Sequence, residues 1–74
     1  MKIFEFGYTD CVYESSFAAI SLHRSRKGAE TAMYLHKEER RKVWLECYPT
    51  KKEQKEMPFG TFEAWKVWER ELLD

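Results

Sequence analysis

The fold of this chain is decided by its last segment, Thr61-Phe-Glu-Ala-Trp-Lys-Val-Trp-Glu-Arg-Glu-Leu-Leu-Asp74. As a strand, the segment alternates, with Trp65 and Val67 on one side and a second apolar set on the other. As a helix, it also has an apolar stripe, and its Glu, Lys, Arg and Leu residues favour helix. Because two tryptophans flank β-branched Val67, and Phe59-Gly-Thr61 leads into the segment, we predict a strand.

Two earlier stretches also have the pattern of strands. In residues 1–8, Phe4, Phe6 and Tyr8 alternate with the residues between them, which is typical of a half-buried strand. A second strand is expected within residues 12–23, where both sides are partly apolar. That composition suits a strand that is covered on each side or that faces a partner.

The middle of the chain has the pattern of a helix. Good helix formers dominate residues 27–44, apolar residues recur there at helical spacing, and Ser25 is placed to cap the start. Farther on, Thr50 and Glu53 have the spacing of a capping box, which predicts a short helix that ends before Pro58.

Together these elements predict one small α+β domain over residues 1–74, with the order ββαβ. Two hairpin strands, a helix and a returning strand give a three-stranded antiparallel sheet of order 2-1-3. One main helix is expected to pack on one face of that sheet.

The 74 residues include 13 basic and 13 acidic side chains, so the formal net charge is zero. This balance argues against a uniformly cationic binder of nucleic acid or of membranes. No apolar run approaches the roughly 18 residues of a membrane span, and the first residues lack the features of a signal peptide. With only Cys11 and Cys47, which we expect to be reduced, we predict a cytoplasmic protein.

The zero balance conceals three blocks of charge. Residues 1–22 and 57–74 each carry −2, whereas residues 23–56, with 10 basic and 6 acidic side chains, carry +4. We therefore expect a basic helix over an acidic sheet. The alternative function is nucleic-acid binding by the basic helix face, for which the candidate residues are Arg24, Arg26, Lys27, Arg40 and Arg41.

No set of residues predicts catalysis. Cys11 could pair with His23 or His36, and Asp10 could orient the imidazole, but nothing in the spacing requires such a site. A zinc site would need both histidines with Cys11 and Cys47, and no Cys-x-x-Cys or His-x-x-x-His pair fixes two ligands locally. A glycine-rich phosphate loop is also missing from the sequence. We expect no catalytic residue, no metal, no cofactor and no enzymatic activity.

Aromatic residues make up 16% of the chain, more than one small core needs. Since a single helix covers one face of a sheet, we expect some rings to meet a partner on the other face, unless residues 47–60 fold over it. The predicted partner-binding residues are three aromatic anchors and an acidic rim: Phe17, Trp65, Trp68, Glu63, Glu69 and Glu71. A homodimer would bury the same surface.

Four stretches occur together in one layout: Lys2-Ile-Phe4, Ala18-Ala-Ile-Ser-Leu22, Gly28-Ala-Glu30 and Ala64-Trp-Lys-Val-Trp-Glu-Arg-Glu-Leu-Leu-Asp74. This layout resembles that of small phage-encoded ββαβ proteins of unknown function. It departs from them at Arg26-Lys-Gly28, where acidic residues usually start the helix. The resemblance implies this fold and a phage or mobile-element origin, and it supplies no activity. With the exposed aromatic residues, we expect a non-enzymatic accessory protein that binds a host protein or protein complex in the host cytoplasm, and no membrane. Such a protein would inhibit a host defence system or enzyme, as anti-CRISPR and anti-restriction proteins do.

Overall fold

Three strands and two helices follow one another in a computed structural model that describes residues 1–72. Their bounds are β1 (Lys2–Thr9), β2 (Ala18–His23), α1 (Arg26–Cys47), α2 (Lys51–Glu56) and β3 (Ala64–Glu71). The strands form one antiparallel sheet of order β2-β1-β3. The predicted α+β fold and ββαβ order are therefore confirmed, and the deciding segment is a strand. Its last two residues lie outside the described part of the chain.

The register of the sheet assigns each residue of the central strand to a face. Phe6 pairs with Val67 and Tyr8 with Trp65, and this face, which we call the helix side, packs against α1. On the other face, which we call the open side, Glu5 pairs with Trp68. Because paired residues in an antiparallel ladder share a face, the two tryptophans of β3 lie on opposite sides.

A bulge interrupts the pairing of β2 with β1. Phe6 pairs with Ser21 and Gly7 with Ala19, so Ile20 is the extra residue. A bulge of this kind lets two neighbouring side chains lie on the same side of the sheet. Ile20 accordingly joins Phe6 and residues of α1 in a groove on the helix side.

The core is thin. The buried apolar residues of the described chain are Ile3, Phe6 and Ala29, and only Phe6 is a large side chain that is almost fully buried. Ala29 and Ala32 let α1 approach the sheet closely because they are small. Many apolar side chains remain on the surface instead.

The helix α1 extends past the sheet. Its 22 residues span about 33 Å at 1.5 Å per residue, whereas the eight residues of β1 span about 26 Å. The overhanging turns pack on the following connection, where Trp44 Nε1 donates to the Met57 carbonyl at 2.9 Å and the Phe59 ring lies between Trp44 and Trp65. These contacts place the connection beside the helix side of the sheet, not over the open side.

Both predicted helix starts have the expected caps. The Ser25 hydroxyl accepts from the Gly28 backbone N–H at 3.1 Å. Thr50 and Glu53 form a complete capping box, and α2 ends at Glu56, just before Pro58. The two caps satisfy backbone N–H groups that each helix would otherwise leave without a partner.

Candidate interaction surface

The open side of the sheet is built around Trp68. Its indole lies across Gly7, where a Cβ would overlap the ring, so glycine at this position permits the close approach. Phe17 meets the indole edge-on, with ring centroids 6.3 Å apart. Trp68 is half-buried in this position and Phe17 is exposed. The two rings therefore form one continuous aromatic surface over the central strand.

Strand β2 extends this surface with aliphatic side chains. Leu22 pairs with Glu5 and Ala19 with Gly7, so both lie on the open side. Leu22 is 59% exposed. We call the resulting surface the open face, and it comprises Phe17, Ala19, Leu22, Lys66, Trp68 and Arg70.

The charged groups of the open face are cationic and come from β3. Lys66 pairs with Gly7 and Arg70 with Ile3, which places both on the same side as Trp68. Arg70 also donates to the buried Glu5 carboxylate at 2.9 Å. Because Arg70 neutralises Glu5 and Lys66 is exposed, the rim of the apolar strip is positive rather than acidic.

The six predicted partner-binding residues do not form one surface. Phe17 and Trp68 come together on the open face. Trp65 lies on the helix side, where its Nε1 donates to His36 Nδ1 at 3.1 Å and its ring packs against Tyr8 and Phe59. A spacing of three residues in a strand puts Trp65 and Trp68 on opposite faces. Trp65 joins the helix to the sheet.

Glu63 belongs to a polar cluster between α1 and the sheet. Its carboxylate accepts from Tyr8 Oη at 2.8 Å and from two guanidinium nitrogens of Arg40 at 3.1 and 3.2 Å. The Glu63 side chain is only 17% exposed. Burial and the hydrogen bond to Glu63 raise the pKa of Tyr8 to about 12, and the same carboxylate raises the pKa of Arg40.

The other two acidic candidates lie at the far end of β3, on the helix side. Glu69 is 3.6 Å from Lys2 Nζ, and Glu71 is 3.1 Å from the N-terminal ammonium group. Both pairs are exposed, and exposed pairs contribute little to stability. The predicted acidic rim is thus split from the aromatic anchors that it was expected to surround.

Three of the five basic candidates contact aromatic rings of this chain. The guanidinium of Arg26 lies 5.2 Å from the Phe4 ring centroid, that of Arg40 lies 5.9 Å from Tyr8, and that of Arg41 lies 5.1 Å from Phe59. Cation–π contacts of this kind hold α1 against the sheet and against the connection that follows the helix. Arg24 and Lys27 are exposed near the start of α1.

A hollow of about 260 Å³ lies between the end of α1 and residues 57–63. Trp44, Tyr48 and Phe62 line it. Its charged groups are Asp10, Arg40 and Glu63, of which Arg40 and Glu63 are bonded to each other. Among residues 1–72, no group of three or more His, Cys, Asp or Glu side chains is arranged to hold a metal ion. The hollow is therefore a small gap beside packed aromatic rings.

Sequence reasoning missed three components of the open face: Ala19, Leu22 and the cationic pair of β3. One feature of the sequence could have indicated them, the alternation of side chains between the two faces of a strand. Once the register is known, this alternation places every second residue of β2 and β3 beside Trp68. It also missed the Tyr8–Glu63–Arg40 cluster, whose members are 23 to 55 positions apart. Only the tertiary fold brings those three side chains together.

Comparisons with protein-family models, curated proteins and solved structures found no match. Within residues 1–72, the helices are too short or too polar to cross a membrane.

Proposed function

We propose that this chain is a non-enzymatic binding protein that docks stoichiometrically on a macromolecular partner through the open face. The observation that supports this proposal is the apolar strip on the side of the sheet opposite α1, in which Phe17 and Leu22 are exposed and Trp68 is half-buried. Apolar patches with an aromatic centre are typical of protein interfaces.

The chemistry of the strip indicates what kind of partner fits it. Burying an exposed side chain such as Leu22 contributes about 1.5–3 kcal/mol, which favours an apolar patch on the partner. Lys66 adds a positive charge at the rim, and Arg70 adds a guanidinium already paired with Glu5. The best match is a protein with an apolar centre and an acidic edge.

The resemblance to small phage-encoded proteins suggests where such a partner would be found. A host enzyme or defence complex, inhibited by simple occlusion, fits a chain that acts by surface contact. Inhibition of this kind needs no catalytic group in the inhibitor, only an interface large enough to compete with the normal substrate.

Nucleic acid is the competing partner. Arg26, Arg40 and Arg41 already lie over rings of the chain itself, so recruiting them to phosphates would disturb the contacts that hold α1. We expect no salt-dependent shift of generic DNA or RNA oligonucleotides at low ionic strength in an electrophoretic mobility assay. A shift that weakens steeply with added salt would favour nucleic acid over a protein partner.

Affinity capture with three forms of the chain tests the proposal. The wild type is compared with Leu22→Glu, which places a carboxylate on the open face, and with Tyr34→Glu on the outer side of α1. Leu22 and Tyr34 are 59% and 60% exposed, so neither change is expected to unfold the chain.

We expect one protein to be captured by the wild type and by Tyr34→Glu, and to be reduced at least tenfold with Leu22→Glu. Circular dichroism confirms that all three forms are folded. Equal capture by Leu22→Glu and the wild type would contradict the role of the open face.

A further inference from the structure

The two edge strands of the sheet differ in how strongly their side chains oppose pairing with a further strand. Strand β3 carries four charged side chains, at Lys66, Glu69, Arg70 and Glu71, which oppose pairing with another strand. Strand β2 and the residue before it, Phe17-Ala-Ala-Ile-Ser-Leu-His23, carry no Asp, Glu, Lys or Arg, and their one titratable side chain is His23 at the end of the strand. An uncharged edge of this length is a template for a further strand.

An apolar groove runs beside the uncharged edge, between β2 and α1. It has a volume of about 480 Å³, and Ile20 and Leu35 form much of its exposed apolar wall. Leu35 is 59% exposed and Ile20 is 48% exposed. Three charged side chains of α1 also line the groove, two of them acidic and one basic: Glu38, Glu39 and Lys42.

The molecule exposes more surface than a compact monomer of its mass, by about the area that one partner buries in a standard interface. The chain exposes 5843 Å², whereas a compact monomer of 9.0 kDa exposes about 4,900 Å². The excess is close to the roughly 800 Å² that each partner buries in a standard interface. The radius of gyration, 14.6 Å, likewise exceeds the value of about 11 Å for a compact domain of this length.

We propose that β2 pairs antiparallel with β2 of a second copy, giving a continuous six-stranded sheet of order β3-β1-β2-β2-β1-β3. Antiparallel pairing of identical strands in one sheet places a two-fold axis perpendicular to the sheet. Both α1 helices then lie on the same side, and the two grooves face each other across the axis.

This arrangement is self-complementary, as a two-fold interface requires. Ile20 and Leu35 of each copy meet the same residues of the other. Lys42 of each groove can pair with an acidic side chain of the other, Glu38 or Glu39, and the zero net charge of the chain avoids long-range repulsion between copies.

The inference does not rest on the proposed function, because it uses the helix side and edge of β2 and not the open face. Its consequence for function is nevertheless direct. The two open faces of the dimer lie on one side of a single sheet, so the dimer presents two copies of the apolar strip in a fixed relation.

Sedimentation velocity with two neighbouring substitutions tests the proposal. Leu35→Lys puts a cation in each groove, whereas Tyr34→Lys puts the same cation on the outer side of α1, at nearly equal exposure. We expect a dimer, of twice 9.0 kDa, for the wild type and Tyr34→Lys, and a dissociation constant at least tenfold weaker for Leu35→Lys. Circular dichroism verifies the helix content of each variant.

Amide hydrogen exchange locates the contact. We expect exchange in residues 18–23 to slow as the protein concentration rises, with no such dependence in residues 64–71. A wild type that stays monomeric at millimolar concentration would overturn the proposal. So would a dimer that Leu35→Lys leaves intact, or concentration-dependent protection confined to β3.

Discussion

Tyr8 links three parts of the fold through its hydroxyl and its ring. It lies on the helix side of β1, donates to Glu63 ahead of β3, and has the Arg40 guanidinium of α1 over its ring. Ionisation of the phenol would remove the donated hydrogen and place a second anion beside Glu63. Burial of the phenol, together with these two effects of Glu63, raises the pKa of Tyr8 to about 12.

The raised pKa of Tyr8 predicts a loss of stability in alkali. The ordinary pKa of tyrosine is about 10, so the contribution of Tyr8 is fully present below pH 10 and is lost as the pH rises toward 12. Tyr8→Phe lacks this contribution, and we expect its free energy of unfolding to fall less steeply above pH 10. Urea titrations at pH 8, 10 and 11 measure the difference.

The absorbance of tyrosinate provides the control for this prediction. An alkaline titration of the folded wild type followed near 295 nm should include a late step that Tyr8→Phe lacks. Identical titrations of the two forms, together with parallel stability curves, would show that Tyr8 ionises as an ordinary exposed phenol.

The absence of a side chain at Gly7 determines how closely Trp68 approaches the sheet on the open face. Without a Cβ at Gly7, the indole lies flat over the central strand and shields the backbone and Glu5 beneath it. The sequence shows the glycine and the tryptophan but not their pairing, because they are separated by the whole of α1. Their contact depends on the register of β1 with β3.

The helix α1 is joined to the sheet by cation–π and aromatic contacts as much as by aliphatic packing. Arg26, Lys37, Arg40 and Arg41 all place their charged groups over rings of the sheet or of the following connection. The basic block of the sequence is therefore partly structural. Periodicity predicted the helix and the layer it covers, but the ring beneath each cation follows from the position of the helix on the sheet.

The Arg40–Glu63 pair is the strongest polar link between α1 and the approach to β3. Removing the negative charge with Glu63→Gln weakens three hydrogen bonds at a largely buried carboxylate. We expect the free energy of unfolding to fall by about 1–2 kcal/mol, the range for a charged hydrogen bond that is partly screened by solvent. Equilibrium urea denaturation measures the change.

Glu69→Gln is the matched control for Glu63→Gln. It removes the same charge from an exposed pair with Lys2 at the other end of β3. The cost should stay within about 0.5 kcal/mol. If the two substitutions cost the same, the cluster around Glu63 does not tie the helix to the sheet.

The strands show where prediction from sequence ends. Alternation in β1 and β3 indicated the sheet, its order and the opposite faces of Trp65 and Trp68. It did not indicate which of those faces the helix would cover, so Trp65 entered the predicted site although it packs under α1. The bulge at Ile20 was also unpredicted, because it arises from the pairing of two strands and not from β2 alone.

At the scale of the whole molecule, the chain is a thin plate with more surface than its mass requires. Its extents are 52, 24 and 13 Å. The zero net charge of the sequence is unevenly distributed in the fold. Four cations of α1 lie over aromatic rings and the open face has a positive rim, while acidic side chains such as Glu69 and Glu71 lie on the helix side of β3. Two of its apolar regions, the open face and the groove beside β2, are each assigned one partner.

Assigning the two regions to different partners gives a consistent account of the exposed surface. Edge pairing covers the groove and the uncharged strand, while the open face stays available on the opposite side. A dimer with two parallel binding strips would bind a repeated or symmetric partner more tightly than one copy could, because the second contact forms at high effective concentration.

The central claim, that the open face is the binding surface, is tested most directly by photo-crosslinking in the native cells. A benzophenone amino acid is placed at Leu22 in one form of the chain and at Tyr34 in another, two positions of nearly equal exposure on opposite sides of the molecule. We predict that irradiation links Leu22, and not Tyr34, to one protein other than the chain itself. No adduct from Leu22, or the same adduct from both positions, would contradict the account.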